Sequence, residues 1–202
     1  MRGCPAHSRS LNQLWPLIAI LACLLGGCGT TAPLADHTLD PKLASIHTAL
    51  ENVVRACRED QNQDWYSGWT GNMWVNFRKG PARGLCYHWQ SSVYEGVLPV
   101  VHDVGWEAGG MVINGDTYLE HHVVLVFDPT RIHYDEILET QAPRPVYVLD
   151  AWRRGEPDIF TLDDWLGHNT EIAKTAALET PTPVAELEIN RATSAPGTDS
   201  QP

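Results

Sequence analysis

The sequence predicts an α+β fold in which an N-terminal helix and a cysteine-bearing helix pack on a small antiparallel sheet. Helical periodicity runs from Pro41 to about Asp60, and a second helical stretch begins at Cys86. Three stretches rich in β-branched and aromatic residues follow, at about 106–113, 119–127 and 146–152. An Asn-Gly-Asp sequence between the first two of these indicates a tight turn, which favours antiparallel pairing.

The first helix has a clear start and a clear apolar stripe. Asp40 is a good N-cap, and Pro41 suits the first helical position. Apolar residues then recur at spacings of three and four. They are Leu43, Ile46, Leu50, Val53, Val54 and Cys57. We therefore expect Cys57 to lie on the buried face.

The second helix is predicted over residues 86–97, with Pro99 limiting it. Residues 61–84 are rich in Trp, Gly and Asn and are predicted to form structured loops. The tryptophans of this segment are expected to pack on the core or to line a groove. They are Trp65, Trp69 and Trp74. Short helical turns are expected near 134–138 and 161–166.

The N-terminus predicts export. Residues 1–13 carry Arg2 and Arg9 and no acid, and residues 14–25 are almost wholly apolar, a stretch too short for a comfortable membrane span. Leu25-Gly26-Gly27-Cys28 resembles the bacterial lipobox, in which the cysteine is lipidated. The resemblance implies a lipid-anchored protein facing the periplasm, and Gly29, which is not Asp, favours the outer membrane. The alternative is a conventional signal peptide with Cys28 an ordinary thiol.

These features divide the chain into a signal peptide (1–27), a tether (28–39), one domain (40–168) and a flexible C-terminal tail (169–202). The formal net charge is −11, and removing residues 1–27 changes it to −13 because two arginines and no acids are lost. Such a charge argues against a nucleic-acid partner and against electrostatic adhesion to anionic lipid. Membrane attachment is therefore expected through a lipid on Cys28.

A cysteine, a histidine and an acid stand in an order that suits nucleophilic catalysis. Cys86 begins a helix, whose N-terminal N–H groups can stabilise a thiolate and an oxyanion. His121 and His122 lie on the second predicted strand, and Asp150 lies on the third. Neighbouring antiparallel strands would place His121 and Asp150 side by side, facing the helix start, so that the carboxylate orients the imidazole.

At these residues the chain resembles the papain-like and transglutaminase-like cysteine hydrolase superfamily. The resemblance is carried by Gly84-Leu85-Cys86-Tyr87-His88-Trp89, Glu120-His121-His122-Val123-Val124 and Val148-Leu149-Asp150-Ala151-Trp152. It implies a papain-like or transglutaminase-like architecture and thioester chemistry on an amide or peptide bond. It implies Cys86 as nucleophile, His121 as base and Asp150 as orienting group, without a metal or other cofactor. The expected substrate is an envelope peptide or protein, such as a peptidoglycan stem peptide.

The choice of histidine stays open, because consecutive strand residues face opposite sides and only one can address Cys86. The resemblance favours His121, with His122 as the alternative base. His88 is about 200° around the helix from Cys86 and is a poor base. The second oxyanion donor is not identified by the sequence. Its candidates are Asn72, Trp74, Asn76 and Gln90.

Other interpretations compete with a triad. Cys57 and Cys86 could form a disulfide, since exported chains often carry them. Asp150 could cap a turn, and the two histidines could be one core and one surface imidazole. The chain would then be a non-catalytic envelope lipoprotein that binds a peptide, glycan or protein. No zinc or nucleotide motif occurs, and Gly109-Gly110 suggests a strand irregularity or a mobile flap.

Overall fold

The computed structural model of the chain describes residues 32–34, 40–77, 83–117, 119–167 and 175–187. The predicted signal peptide, Cys28 and most of the tether lie outside these ranges, as does the end of the predicted tail. The described residues form a mixed helical and antiparallel β structure, which confirms the α+β prediction at that level.

Helix α1 spans Pro41–Glu59 and matches the predicted start and apolar stripe. The Asp40 carboxylate accepts a hydrogen bond from the Leu43 amide at 2.8 Å, as an N-cap side chain should. The stripe is buried, and its buried members include Leu43, Ile46, Leu50, Val54 and Cys57. Burial of this face, more than helix propensity, holds α1 against the rest of the fold.

Helix α2 spans Gly68–Phe77. The sequence predicted only structured loops over this segment, and that prediction is wrong. Two glycines and several β-branched or aromatic residues give this segment weak helix propensity. Tertiary contacts compensate for it. The Gly68 amide donates to the Trp152 carbonyl at 2.7 Å, and Gly71 packs so closely on Tyr66 that a Cβ would lie 3.0 Å from the tyrosine Cβ.

Helix α3 spans Cys86–Asp103 and continues through Pro99, so the prediction that Pro99 limits it is wrong. The proline ring lies on the exposed side of the helix. The core-facing residues Val97 and Val101 are fully buried on the other side. Packing of this stripe outweighs the loss of one helical hydrogen bond on the solvent side.

The five strands form one antiparallel sheet in the order β4-β3-β2-β1-β5. They are β1 (Glu107–Ile113), β2 (His121–Phe127), β3 (Val146–Asp150), β4 (Asp158–Thr161) and β5 (Ala177–Glu179). A 3-10 turn at Tyr134–Glu136 and helix α4, Leu162–Gly167, complete the described elements, close to the predicted helical turns. The three predicted strands are confirmed as β1, β2 and β3, with shorter bounds.

Strand β5 lies within the segment predicted as a tail, so the ordered fold continues past residue 168. Tyr134 holds β5 to β1. Its hydroxyl oxygen lies 2.6 Å from the carbonyl oxygens of both Gly110 and Glu179, between which its single proton is shared, and it accepts from the amides of the same two residues. Its ring lies 2.2 Å from where a Cβ of Gly109 would stand. Gly109 and Gly110 therefore belong to a regular strand that leaves room for a tyrosine ring, and the predicted irregularity is absent there.

The sheet separates two apolar layers. Helices α1 and α3 pack on one face, against residues that include Val124, Val126 and Leu149. Helix α4 and the 3-10 turn cover the other face, against Val123, Leu125 and Val148. Among the described residues, no helix combines the length and the apolar character that a membrane crossing requires.

Candidate functional site

Cys86 is the first residue of α3, and its sulfur lies against the backbone at the start of β2. The thiol donates a hydrogen bond to the Glu120 carbonyl oxygen at 3.6 Å, and the His122 amide donates to the sulfur. The side chain is buried. Burial raises the pKa of the Cys86 thiol to about 11, despite the opposing effect of the His122 amide. The resting group is therefore a neutral thiol.

His121 and Asp150 form a buried pair, as the strand arrangement predicted. Nε2 of His121 lies 2.8 Å from Oδ2 of Asp150, and the two side chains are 5% and 1% exposed. Neighbouring strands β2 and β3 bring them together, in the register that pairs Val124 with Leu149. A carboxylate hydrogen-bonded to one imidazole nitrogen fixes the orientation and the tautomer of the ring.

The other nitrogen of His121, Nδ1, is buried and makes no hydrogen bond. Burial tends to raise the pKa of the Asp150 carboxyl, but the charge and hydrogen bond of His121, with a contribution from Arg153, outweigh it and hold that pKa below its usual range. The ionised Asp150 carboxylate accepts a hydrogen bond from the N–H at Nε2 of His121. In the neutral imidazole, the proton is therefore on Nε2, and Nδ1 carries a lone pair that no hydrogen bond occupies. A general base requires such a lone pair.

Two tryptophans and an arginine support this pair. The His121 ring contacts Trp152, with centroids 4.6 Å apart, and Trp165, at 5.8 Å. Trp165 Nε1 and Arg153 Nε also approach Oδ2 of Asp150, at 3.3 and 3.2 Å. Trp152 was part of the sequence pattern, whereas Trp165 and Arg153 were not singled out, because their role depends on how α4 and the loop after β3 return to the sheet.

The three predicted catalytic residues meet at the start of β2 without forming a continuous hydrogen-bonded chain. Val124 and Leu149 pack on the sheet face that α3 covers. Because side chains alternate along a strand, His121 and Asp150 lie on the opposite face, with the cluster under α4, and do not face the helix start as expected. The Cys86 sulfur instead contacts the peptide groups on both sides of His121. Within the described ranges, neither nitrogen of His121 is hydrogen-bonded to the sulfur.

His122, the alternative base, is engaged by two carboxylates. Its Nδ1 lies 2.7 Å from Oε1 of Glu179, and its Nε2 lies 2.9 Å from Oε1 of Glu120. Burial tends to lower the pKa of His122, but these two hydrogen bonds outweigh it and raise the pKa. An imidazole that donates from both nitrogens has no lone pair to accept a proton, so this arrangement does not suit a base. No sequence signal connected Glu179 to this cluster, because it lies on the short strand β5.

Two of the four predicted candidates for the second oxyanion donor, Gln90 and Asn72, have other partners. Gln90 is buried and donates to the Val123 carbonyl and to Glu179, at 2.9 and 2.7 Å. The side-chain oxygen of Asn72 accepts from Trp152 Nε1 at 3.1 Å. Trp74 is 57% exposed on α2, and the Asn76 side chain is outside the described part of the structure. His88 faces the helix start, where its Nδ1 accepts from the Leu85 amide at 3.3 Å.

Cys57 and Cys86 are both free and buried, so they do not form the disulfide that was considered. Burial raises the pKa of the Cys57 thiol to about 11 as well. The two thiols therefore have similar burial and acidity, but only Cys86 lies at a helix start next to the backbone of His121.

Comparisons of this chain with protein-family models, with curated proteins and with solved structures found no match. Within the described residues, no group of three or more His, Cys, Asp or Glu side chains is arranged to hold a metal ion.

Proposed function

We propose that the chain is a cysteine amidohydrolase or peptidase of papain-like or transglutaminase-like architecture. Cys86 is the nucleophile, His121 the general base and then acid, and Asp150 the group that orients His121. One observation carries the proposal: His121 binds a buried carboxylate through Nε2, keeps Nδ1 buried without a hydrogen bond, and has flanking peptide groups that contact the Cys86 sulfur.

The chemistry begins with the neutral thiol. Because His121 lies on the sheet face opposite to α3, the start of β2 shifts in this proposal until Nδ1 reaches the sulfur, which releases the Glu120 carbonyl, and the thiol proton passes to Nδ1. The thiolate then attacks the carbonyl carbon of an amide, and the oxyanion forms near the N-terminus of α3. When the C–N bond breaks, the leaving amine takes the proton from Nδ1 and a thioester remains on Cys86. Water, deprotonated by His121, releases the acid and the thiol; an amine in place of water gives a crosslink.

The location follows from the sequence features that resemble a lipobox. We propose that Cys28 carries the lipid and that the domain faces the periplasm from the outer membrane. The substrate is then an amide in an envelope peptide or protein, such as a peptidoglycan stem peptide. The negative charge of the chain supports a covalent anchor, because it gives no electrostatic attraction to anionic lipid.

Alkylation by iodoacetamide tests the proposal, with Cys57 as an internal control. Both thiols have a pKa of about 11, so their reactivity at neutral pH should be equally low unless a base acts on one of them. Peptide mapping by mass spectrometry follows each cysteine separately. We expect Cys86 to react at least about tenfold faster than Cys57 near pH 7. His121→Ala should abolish the difference, and His122→Gln should retain it. Equal rates in the unmodified chain would overturn the proposal.

A second candidate function is supported by the burial of Cys86 and by its bond to Glu120 in place of His121. A chain that keeps this arrangement permanently would be a non-catalytic envelope lipoprotein that binds a peptide, glycan or protein. In that case Cys86→Ser would leave partner binding unchanged, and Cys86 would be no more reactive than Cys57.

A further inference from the structure

Helix α2 turns large apolar side chains towards solvent. Trp69, Met73 and Trp74 are 56%, 48% and 57% exposed. They are three of the four large apolar side chains that are exposed in the described ranges; the fourth is Leu119. A contiguous exposed apolar patch on an otherwise charged protein indicates an interaction surface, whereas single exposed apolar residues do not.

Helical geometry places the three side chains on one side. At about 100° per residue, Met73 is about 40° and Trp74 about 140° around the helix from Trp69, with the exposed Thr70 between them. The opposite side is fixed to the domain. There Gly71 packs on Tyr66 and Asn72 binds Trp152. The orientation of α2 is therefore set by its inner face, and the apolar outer face is exposed to solvent.

The charge pattern of the segment distinguishes a lipid surface from other partners. Residues 68–77 contain no Asp, Glu, Lys or Arg, and Arg78 and Lys79 follow them directly in the sequence. Tryptophan favours the boundary between acyl chains and headgroups, and basic residues favour anionic headgroups. The net charge of −11 gives the chain as a whole no attraction to anionic lipid, but this uncharged helix is followed in the sequence by two basic residues, and that local pattern is complementary to an anionic bilayer surface.

The beginning of the domain is also close to the proposed anchor. The Leu34 amide donates to the Ile159 carbonyl at 2.8 Å, which attaches the chain to strand β4 six residues after Cys28. Six residues span at most about 20 Å. A lipid on Cys28 would therefore hold the domain close to the bilayer surface.

We infer that the outer face of α2, formed by Trp69, Thr70, Met73 and Trp74, docks on the surface of the phospholipid bilayer that carries the anchor. Asn72 links this helix to Trp152, whose ring contacts His121. Docking therefore places the His121 end of the sheet next to the bilayer. The inference depends on the proposed envelope location and is independent of the proposed cysteine chemistry.

Fluorescence quenching by brominated lipid tests the docking directly. The full chain, with Trp15→Phe to remove the tryptophan of the N-terminal apolar segment, is reconstituted into vesicles of phosphatidylethanolamine and phosphatidylglycerol. One preparation carries bromine on the acyl chains and the other does not. Because bromine quenches tryptophan on contact, Trp69 and Trp74 should be quenched. Thr70→Asp keeps every tryptophan but puts a charge in the face, and we expect it to lower the quenched fraction by about half or more.

Thr48→Asp is the matched control, because Thr48 is an exposed threonine on α1. It should leave the quenched fraction unchanged, and so should Cys86→Ala, which separates this result from the fate of the proposed catalysis. Trp69→Gln with Trp74→Gln should remove most of the quenching. Equal quenching in the unmodified chain, in Thr70→Asp and in the double variant would overturn the inference. If Thr70→Asp left the quenching unchanged but abolished binding to purified peptidoglycan, the face would be assigned to a glycan, and the inference would be overturned as well.

Discussion

Nε2 of His121 and Oδ2 of Asp150 are 2.8 Å apart in a place where both side chains are almost completely buried. Asp150 also accepts from Trp165 and pairs with Arg153, so a single carboxylate oxygen is shared by three donors. Such a charge is stable in the interior only while its donors remain in place. The pair therefore has consequences for stability that can be measured without a substrate.

Asp150→Asn should lower the free energy of unfolding by about 2–4 kcal/mol at neutral pH, because it removes a buried charge from three donors. The folded protein holds the pKa of Asp150 below its usual range, so the stabilisation is complete above about pH 4, the value for an unfolded aspartate, and is lost as the pH falls through the lower folded pKa. Urea unfolding across this pH range measures it. The unmodified and substituted chains should converge in acid.

Asp158→Asn is the control for this prediction. Asp158 pairs with Asp150 in the register of β3 and β4, but its ionic partner, Arg154, is half exposed. A smaller loss is expected there, because solvent around the half-exposed Arg154 screens this pair, whereas the donors of Asp150 are more deeply buried. An equal loss in both variants would contradict the special position of Asp150.

His122→Gln should destabilise the chain by about 2 kcal/mol near pH 6, since it removes two hydrogen bonds between charged groups. The folded pKa of His122 is raised, so this stabilisation is fully present below about pH 6.5, the unfolded value, and is lost as the pH rises through the folded value. Thermal or urea unfolding should therefore show a difference that shrinks in alkaline solution. A difference that grows with pH would contradict the prediction.

Gly109→Ala should cost about 2 kcal/mol, because the new methyl group would stand 2.2 Å from the Tyr134 ring. In a Tyr134→Ala background the same change should cost little, and the double-mutant cycle measures the coupling. Gly105→Ala does not meet any neighbouring atom but requires a positive φ, so its cost should be independent of Tyr134. Equal effects of Gly109→Ala in both backgrounds would contradict the proposed close packing.

Asp40→Ala should lower the free energy of unfolding by about 1 kcal/mol, because the Leu43 amide loses its acceptor. Asp40→Ser should recover most of this loss, since a serine side chain also caps helices. Thermal unfolding of the three chains measures the effect, and a serine variant as unstable as the alanine variant would show that the cap is not the cause.

The elements that the sequence predicted well are those whose patterns are local. The stripe of α1, its Asp40 cap and the β-branched runs of β2 and β3 are visible without knowledge of the fold. Helix α2 and strand β5 were not predicted, because their stability comes from distant partners. Trp152 binds the start of α2, and Tyr134 holds three residues of β5. The prediction that Pro99 ends α3 failed for a similar reason, because the buried apolar stripe of the helix continues past the proline to Val101.

The candidate site was predictable to a similar degree. The juxtaposition of His121 and Asp150 follows from two adjacent antiparallel strands, and it was expected. The alternation of side chains along a strand places His121 and His122 on opposite faces of the sheet, but it does not identify the face that α3 covers. The position of either ring relative to Cys86 therefore required the structure. The hydrogen bond between His122 and Glu179 could not be predicted from the sequence, because Glu179 lies 57 residues later in the chain, on β5.

Strand β5 covers part of the outer edge of β1. It is held there by three paired residues, by the Tyr134 hydroxyl and by the bonds of the Glu179 carboxylate to Gln90 and His122. A chain that ended before Ala177, through proteolysis or a premature stop, would lack the partners of the outward N–H and C=O groups of residues 110–112, in a strand that contains two adjacent glycines. Such an edge is a template for pairing with another molecule. A few residues from a region that resembles a tail thus protect the protein against self-association.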